Sequence, residues 1–255
     1  MTPKERAVAA LTLKVPDMVP TFELEFQLEE EMFGRKFITG DLTVEGLAKL
    51  SKKEKEKRIY ELAEYMVEVY STLEYSIIPG LVLGNAEDYM EHGGPLPEET
   101  KLLIKYLREL VGDNYMIHYH GDGTFAIPDG EKMYEFAYAI ADDREGVQEK
   151  AAKMAEAAIK RNRQLAEAGV DCLILCSDYC YNSGPFLSPA MFEEFIQPYL
   201  YRIIDEARKL GLYTIKHTDG NIMPILDNIV ECKPHAIHSL DPQAKVDIKT
   251  VKELV

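Results

Sequence analysis

Carboxylates, imidazoles and thiols recur along this chain at a spacing of two residues: Glu23 with Glu25, His118 with His120, Asp178 between Cys176 and Cys180, and His217 with Asp219. In an extended strand an i, i+2 pair lies on one side, about 6.6 Å apart. Neutral imidazole, carboxylate and thiolate are the ligand types of Zn²⁺, and a catalytic zinc uses three of them and leaves one position open. The ligands expected here are His217, Asp219 and Cys180. By itself His217-x-Asp219 is also the pattern of a hydrogen-bonded strand end. Cys172 and Cys176 read as small buried hydrophobes within an apolar run, whereas Cys180 lies beyond it in Tyr179-Cys180-Tyr181-Asn182-Ser183-Gly184. His238 and Asp241 form a looser pair. Gly121-Asp122-Gly123 and Asp129-Gly130 are explained by turn chemistry, and no Gly-rich phosphate loop is present, so nucleotide binding has no support.

Such groups converge only if the elements carrying them end at one place, as strands do at the C-terminal face of a β/α barrel. Apolar runs of strand length alternate with amphipathic helical stretches, the pattern of parallel βαβ units. The expected strands are Met18–Leu24, Tyr75–Leu83, Tyr115–Tyr119, Cys172–Cys176, Tyr213–His217 and Ala236–Leu240. The expected helices cover Ser51–Tyr70, Glu98–Val111, Arg144–Ala168, Ser188–Leu210, Ile222–Val230 and Ile248–Val255, after a capped N-terminal helix begun by Thr2-Pro3-Lys4-Glu5. The segment Leu28–Leu50 predicts loop and a short helix, and the mixed charge run Lys52–Arg58 predicts a solvated helix face. Six strand-helix units result, where a closed barrel has eight. The chain stops inside a helix at Val255. The expected fold is therefore a single α/β domain over residues 1–255, a TIM-type (β/α)8 barrel truncated after about six units.

The 255 residues suit one such barrel, and no low-complexity linker divides them. Lys plus Arg is 29 and Asp plus Glu is 44, a net charge of −15, which disfavours nucleic acid and anionic membrane surfaces as partners. No apolar run approaches the roughly 20 residues of a spanning helix. Met1–Leu13 lacks the apolar core of a signal peptide, and the four cysteines are too clustered for a disulfide scaffold, so the expected location is the cytoplasm.

Gly184-Pro185-Phe186-Leu187-Ser188-Pro189 with Phe192, Phe195 and Pro198-Tyr199, then Ile215-Lys216-His217-Thr218-Asp219-Gly220-Asn221 and Pro224-Ile225-Leu226, resembles the uroporphyrinogen decarboxylase superfamily. The opening Thr2-Pro3-Lys4-Glu5-Arg6 is similar to its amino terminus. The resemblance implies a TIM-type barrel longer than this chain, and one of two chemistries. Decarboxylases of the family carry an arginine-rich segment after the first strand and an essential aspartate after the second. Here those places read Phe22-Glu23-Leu24-Glu25-Phe26-Gln27 and Pro79-Gly80-Leu81-Val82-Leu83, and a glutamate pair repels an octa-anionic porphyrinogen. Asp178 does match a family position, which keeps a carboxy-lyase acting on a less anionic substrate as an alternative. The other branch, corrinoid-dependent methyltransferases, carries a His-x-Cys zinc motif. His217 occupies the histidine position and Asp219 replaces the cysteine. A carboxylate leaves zinc more electrophilic than a thiolate does, suited to an oxygen. The resemblance thus implies transfer of a methyl group from a small O-methyl, or N-methyl, donor to a corrinoid protein, with zinc as Lewis acid. Asp178 and His120 are the expected catalytic groups. Glu23, Glu25, His118, Tyr181 and Asn182 are expected around the substrate, and Glu25, His118 or His120 can complete the ligand set or donate a proton. The remaining alternative is an inactive, incomplete barrel.

Overall fold

A parallel strand must be followed by a crossover, usually a helix, before its neighbour can begin, so apolar runs separated by amphipathic helices build parallel sheets. The computed structural model describes residues 1–255 and turns these runs into β1 (Ile77–Pro79), β2 (Met116–His120), β3 (Cys172–Leu175), β6 (Tyr213–His217) and β7 (Ala236–His238). A small antiparallel hairpin, β4 (Cys180–Tyr181) and β5 (Gly184–Pro185), follows β3. The five longer elements form one parallel sheet in the order β1-β2-β3-β6-β7, the arrangement of a partial TIM-type barrel.

The expected strand Met18–Leu24 does not form. Prolines at 16 and 20 lack donors. Within this stretch the main-chain bond is Ser76 N–H to Thr21 O at 2.8 Å, and Met18 and Val19 are exposed. Alternating half-buried Phe22, Leu24 and Phe26 imitate a strand without a hydrogen-bonded ladder. Tyr75–Leu83 shortens to the three residues of β1. Ser188–Leu210 divides into helices Pro189–Phe195 and Gln197–Lys209, broken at Ile196 (φ −124°, ψ −54°), because Pro198 cannot donate to the preceding turn. Its apolar stripe survives the break: Phe192, Phe195, Ile196, Leu200, Ile203 and Ala207 are buried, although Leu210 is exposed. Ile222–Val230 becomes a 3-10 turn, Met223–Ile225, leading into the helix Leu226–Glu231. Two helices, Glu87–His92 and Lys132–Asp142, were not expected.

The chain divides into two compact units. The first comprises Met1–Met90, Gly94–Tyr119 and Arg163–Cys172. In it β1 and β2 pair in the register Ile77↔Met116, and helix Lys52–Thr72 lies against helix Glu98–Val111. Ile59, Leu62, Met66 and Val69 are buried with Leu103, Ile104 and Leu107, as a 3.6-residue period requires. The charged first half of Lys52–Thr72 is solvated as expected, and Lys55 reaches Glu99 at 2.8 Å. Ser51 and Glu54 form a capping box at its start.

The second unit comprises Glu91–Gly93, His120–Asn162 and Leu173–Val255. Here β6 and β7 pair in parallel as Ile215↔Ala236, Lys216↔Ile237 and His217↔His238. One residue upstream, His235 N–H donates to Thr214 O at 2.8 Å, while Thr214 N–H donates to His235 Nδ1 at 3.0 Å. Burial, and then the charge of Arg208, pushes the His235 pKa down from 6.5 to about 4. The folded state therefore binds this proton more weakly than the unfolded chain. Stability from the neutral ring is present above pH 6.5 and is lost as pH falls toward 4. Urea titrations should show about 2 kcal/mol of such loss across that window. His235→Asn, whose amide oxygen can still accept from Thr214, should flatten that part of the profile; an unchanged profile would place the loss elsewhere.

Candidate metal centre

β6 runs out at His217, whose side chain is 10% exposed. The next residues, Thr218-Asp219-Gly220-Asn221, turn sharply. Gly220 has φ +81°, and a Cβ there would stand 2.4 Å from Cys180 O, so only glycine lets this turn approach the β4–β5 hairpin. Asn221 N–H completes the contact on Tyr181 O at 2.9 Å.

The turn carries Asp219 to the mouth of β6, and the loop after β3 brings Asp178 to the same place. Asp219 N–H donates to Asp178 Oδ1 at 3.1 Å, and Ser239 Oγ donates to Asp219 Oδ1. His217 Nε2 lies 3.7 Å from Asp178 Oδ1 and 3.9 Å from Asp219 Oδ1, and the three ligand atoms lie within 4.8 Å of one another. These separations exceed a hydrogen bond. They are near the roughly 3.4 Å between two atoms that share a tetrahedral ion at about 2.1 Å. One imidazole and two carboxylates, the latter half-exposed, make a donor set that zinc accepts and that leaves room for a substrate atom.

His238 sets the orientation of the imidazole. As the register partner of His217 it places its Nδ1 2.9 Å from His217 Nδ1, the rings tilted by 39° at a centroid distance of 5.2 Å. One of these nitrogens must carry the hydrogen. With it on His217 Nδ1, the Nε2 lone pair is directed to the carboxylates, the arrangement that metal-bound histidines adopt. Burial, then the neighbouring His217, lowers the His238 pKa, which keeps this ring neutral and able to accept.

Cys180, expected as the thiolate, is not in the group. Its thiol is buried, and that burial, followed by the charge of Asp178, pushes its pKa up to about 12. Asp178, expected in catalysis, stands beside His217 and Asp219 instead. His120 ends β2, exposed. Tyr181 is 47% exposed on the hairpin and Asn182 is exposed at its tip. Glu23, Glu25 and His118 belong to the first unit: the glutamates are exposed, and His118 is fully buried with its ring edge-on to Phe22 at 5.8 Å. Asp241 caps the 3-10 turn Pro242–Ala244 through Gln243 N–H. Sequence reasoning paired His238 with Asp241 rather than with His217, and passed over Lys216. The signal for Lys216 was legible, as a charged residue in an otherwise apolar strand interior needs a buried partner.

Residues 127–255 match the family model described as uroporphyrinogen decarboxylase (URO-D). No curated protein sequence matches the chain. Among solved structures, a methyltransferase from Methanosarcina mazei superposes with a TM-score of 0.63 at 18% identity, over 93% of this chain and 75% of that one. At that identity the likeness is one of fold.

Proposed function

This chain belongs to the uroporphyrinogen decarboxylase family, and we propose that it is a methyltransferase of that family, acting on a small O-methyl or N-methyl donor with a corrinoid protein as acceptor. The observation that carries this reading is the convergence of His217, Asp178 and Asp219. Zinc held there would draw charge from the heteroatom that loses the methyl group, which a reduced corrinoid on the partner accepts. The chain's own groups do the rest. His217 presents Nε2 while His238 holds its Nδ1. Asp178 and Asp219 supply the negative charge that attracts a divalent cation, and Asp219 is itself held by Ser239. His120, exposed at the end of β2, is the group proposed to give a proton to the departing oxygen. With no cation bound, the same carboxylate pair repels a polycarboxylate, which speaks against uroporphyrinogen as substrate. The matching fold of the M. mazei methyltransferase is in keeping with this reading. No helix is long and apolar enough to cross a membrane.

Calorimetric titration of the metal-free protein with Zn²⁺ tests the proposal. One ion per chain is expected, with affinity falling about tenfold or more in Asp178→Asn and Asp219→Asn. The zinc form should then produce methylcobalamin from cob(I)alamin and a methyl ether, followed by absorbance. Absence of saturable binding, or release of CO₂ from uroporphyrinogen, would overturn it in favour of a carboxy-lyase.

A further inference from the structure

β6 carries a lysine in its interior. Lys216 is fully buried, where an ammonium is tolerated only if every proton finds an acceptor. Its Nζ donates to Asp122 Oδ2 at 2.9 Å, to Leu175 O at 3.0 Å and to Ser177 O at 2.9 Å, and lies 4.0 Å from the centre of the Tyr179 ring. All three protons are committed, so the amine is neither a nucleophile nor a substrate contact.

Asp122 is equally saturated. Its Oδ1 accepts from Gly123 N–H at 2.7 Å, Thr124 N–H at 2.9 Å and Thr124 Oγ1 at 2.8 Å. Its Oδ2 accepts from Ser177 N–H at 3.1 Å besides Lys216. Ser177 is thereby held at both ends of its backbone, by Asp122 at the N–H and by Lys216 at the carbonyl. On the other side, Tyr179 N–H donates to Thr218 Oγ1 at 2.9 Å, and Asp178 O accepts from Ile127 N–H at 2.9 Å. The residue between these clamps is Asp178, whose side chain is 48% exposed and gains no burial from them.

We infer that the buried Lys216–Asp122 pair is a positioning device that fixes the backbone of residues 177–179 and so presents the Asp178 carboxylate to His217. A buried ion pair is poor support for stability, and a well-packed neutral replacement often folds as well, so geometry is the better reason for this one. The inference rests on the reading of Asp178 as a metal ligand.

The test compares the wild-type chain, Lys216→Met/Asp122→Asn and Asp178→Asn, with Zn²⁺ alone as titrant and hydrogen exchange of the Ser177 and Tyr179 amides read without metal. In the double variant both charges leave together. Its melting midpoint should stay close to that of wild type, while zinc affinity falls about tenfold to a hundredfold and the two amides exchange faster. Wild-type zinc affinity or unchanged exchange in the double variant would overturn the inference. If Asp178→Asn binds zinc like wild type, the metal-site reading itself fails. If Asp178→Asn weakens binding and the double variant does not, the positioning role alone fails. Should the double variant not fold, Asp122→Asn alone decides, since it removes the charge that holds Ser177 N–H and Lys216 while the amide oxygen still accepts from Thr124. Weaker zinc binding with faster Ser177 exchange supports the inference, and wild-type affinity ends it.

Discussion

His217→Ala is expected to reduce Zn²⁺ affinity by more than about 100-fold and to remove methyl transfer with it, because losing a ligand exceeds the effect of losing a ligand's support. Of the three donors His217 has the least exposed side chain and is the one nitrogen, and neither Asp178 nor Asp219 can substitute for its lone pair. The fold should tolerate the change. The ring is one of a pair, so its removal leaves His238 Nδ1 without this partner, a loss of about 1 kcal/mol for a half-buried group. Calorimetry and far-ultraviolet circular dichroism together check this outcome: native secondary structure with no saturable zinc binding. Undiminished affinity would locate the ion elsewhere.

Lys216→Met alone should have the largest effect on stability, about 3 to 5 kcal/mol in urea unfolding. The magnitude follows from what stays behind rather than from what is removed. Asp122 is buried, and its carboxylate is held ionised against that burial by the charge and hydrogen bond of Lys216 and by the donors of Thr124. Without the ammonium an uncompensated charge remains in the interior, and Leu175 O and Ser177 O lose their donor. Adding Asp122→Asn should recover most of the loss, since the amide still accepts from Thr124 without a charge. A single variant as stable as wild type would mean that water or another cation reaches Asp122.

Several elements were legible in the sequence because their determinants are local. Helices Glu98–Val111 and Arg144–Ala168 and strand β6 fall on their expected bounds, since hydrophobic period and capping residues act within a few positions. The helix break at Ile196 was also written there, in Pro198, and a continuous apolar stripe concealed it. Met18–Leu24 shows the opposite case: alternation is a local property and strand pairing is not, so a stretch with the right side chains remained without a ladder. The two-residue spacing of His217 and Asp219 correctly marked a polar strand end. Choosing their companion was beyond it, because Cys180 and Asp178 are neighbours in sequence and burial separates their roles.

The amino-acid sequence alone determined the β/α alternation, the acidic net charge of −15 and the polar strand ends that flag this family. Tertiary structure decided that Asp178 joins His217 and Asp219, that His238 backs the imidazole from the adjacent strand, and that Lys216 finds Asp122 across 94 positions of chain. The physical reason is range. Propensity and capping are settled within a turn or two of backbone, whereas a lone pair, a carboxylate or a buried charge acquires its function from whichever groups the folded chain brings within a few ångströms of it.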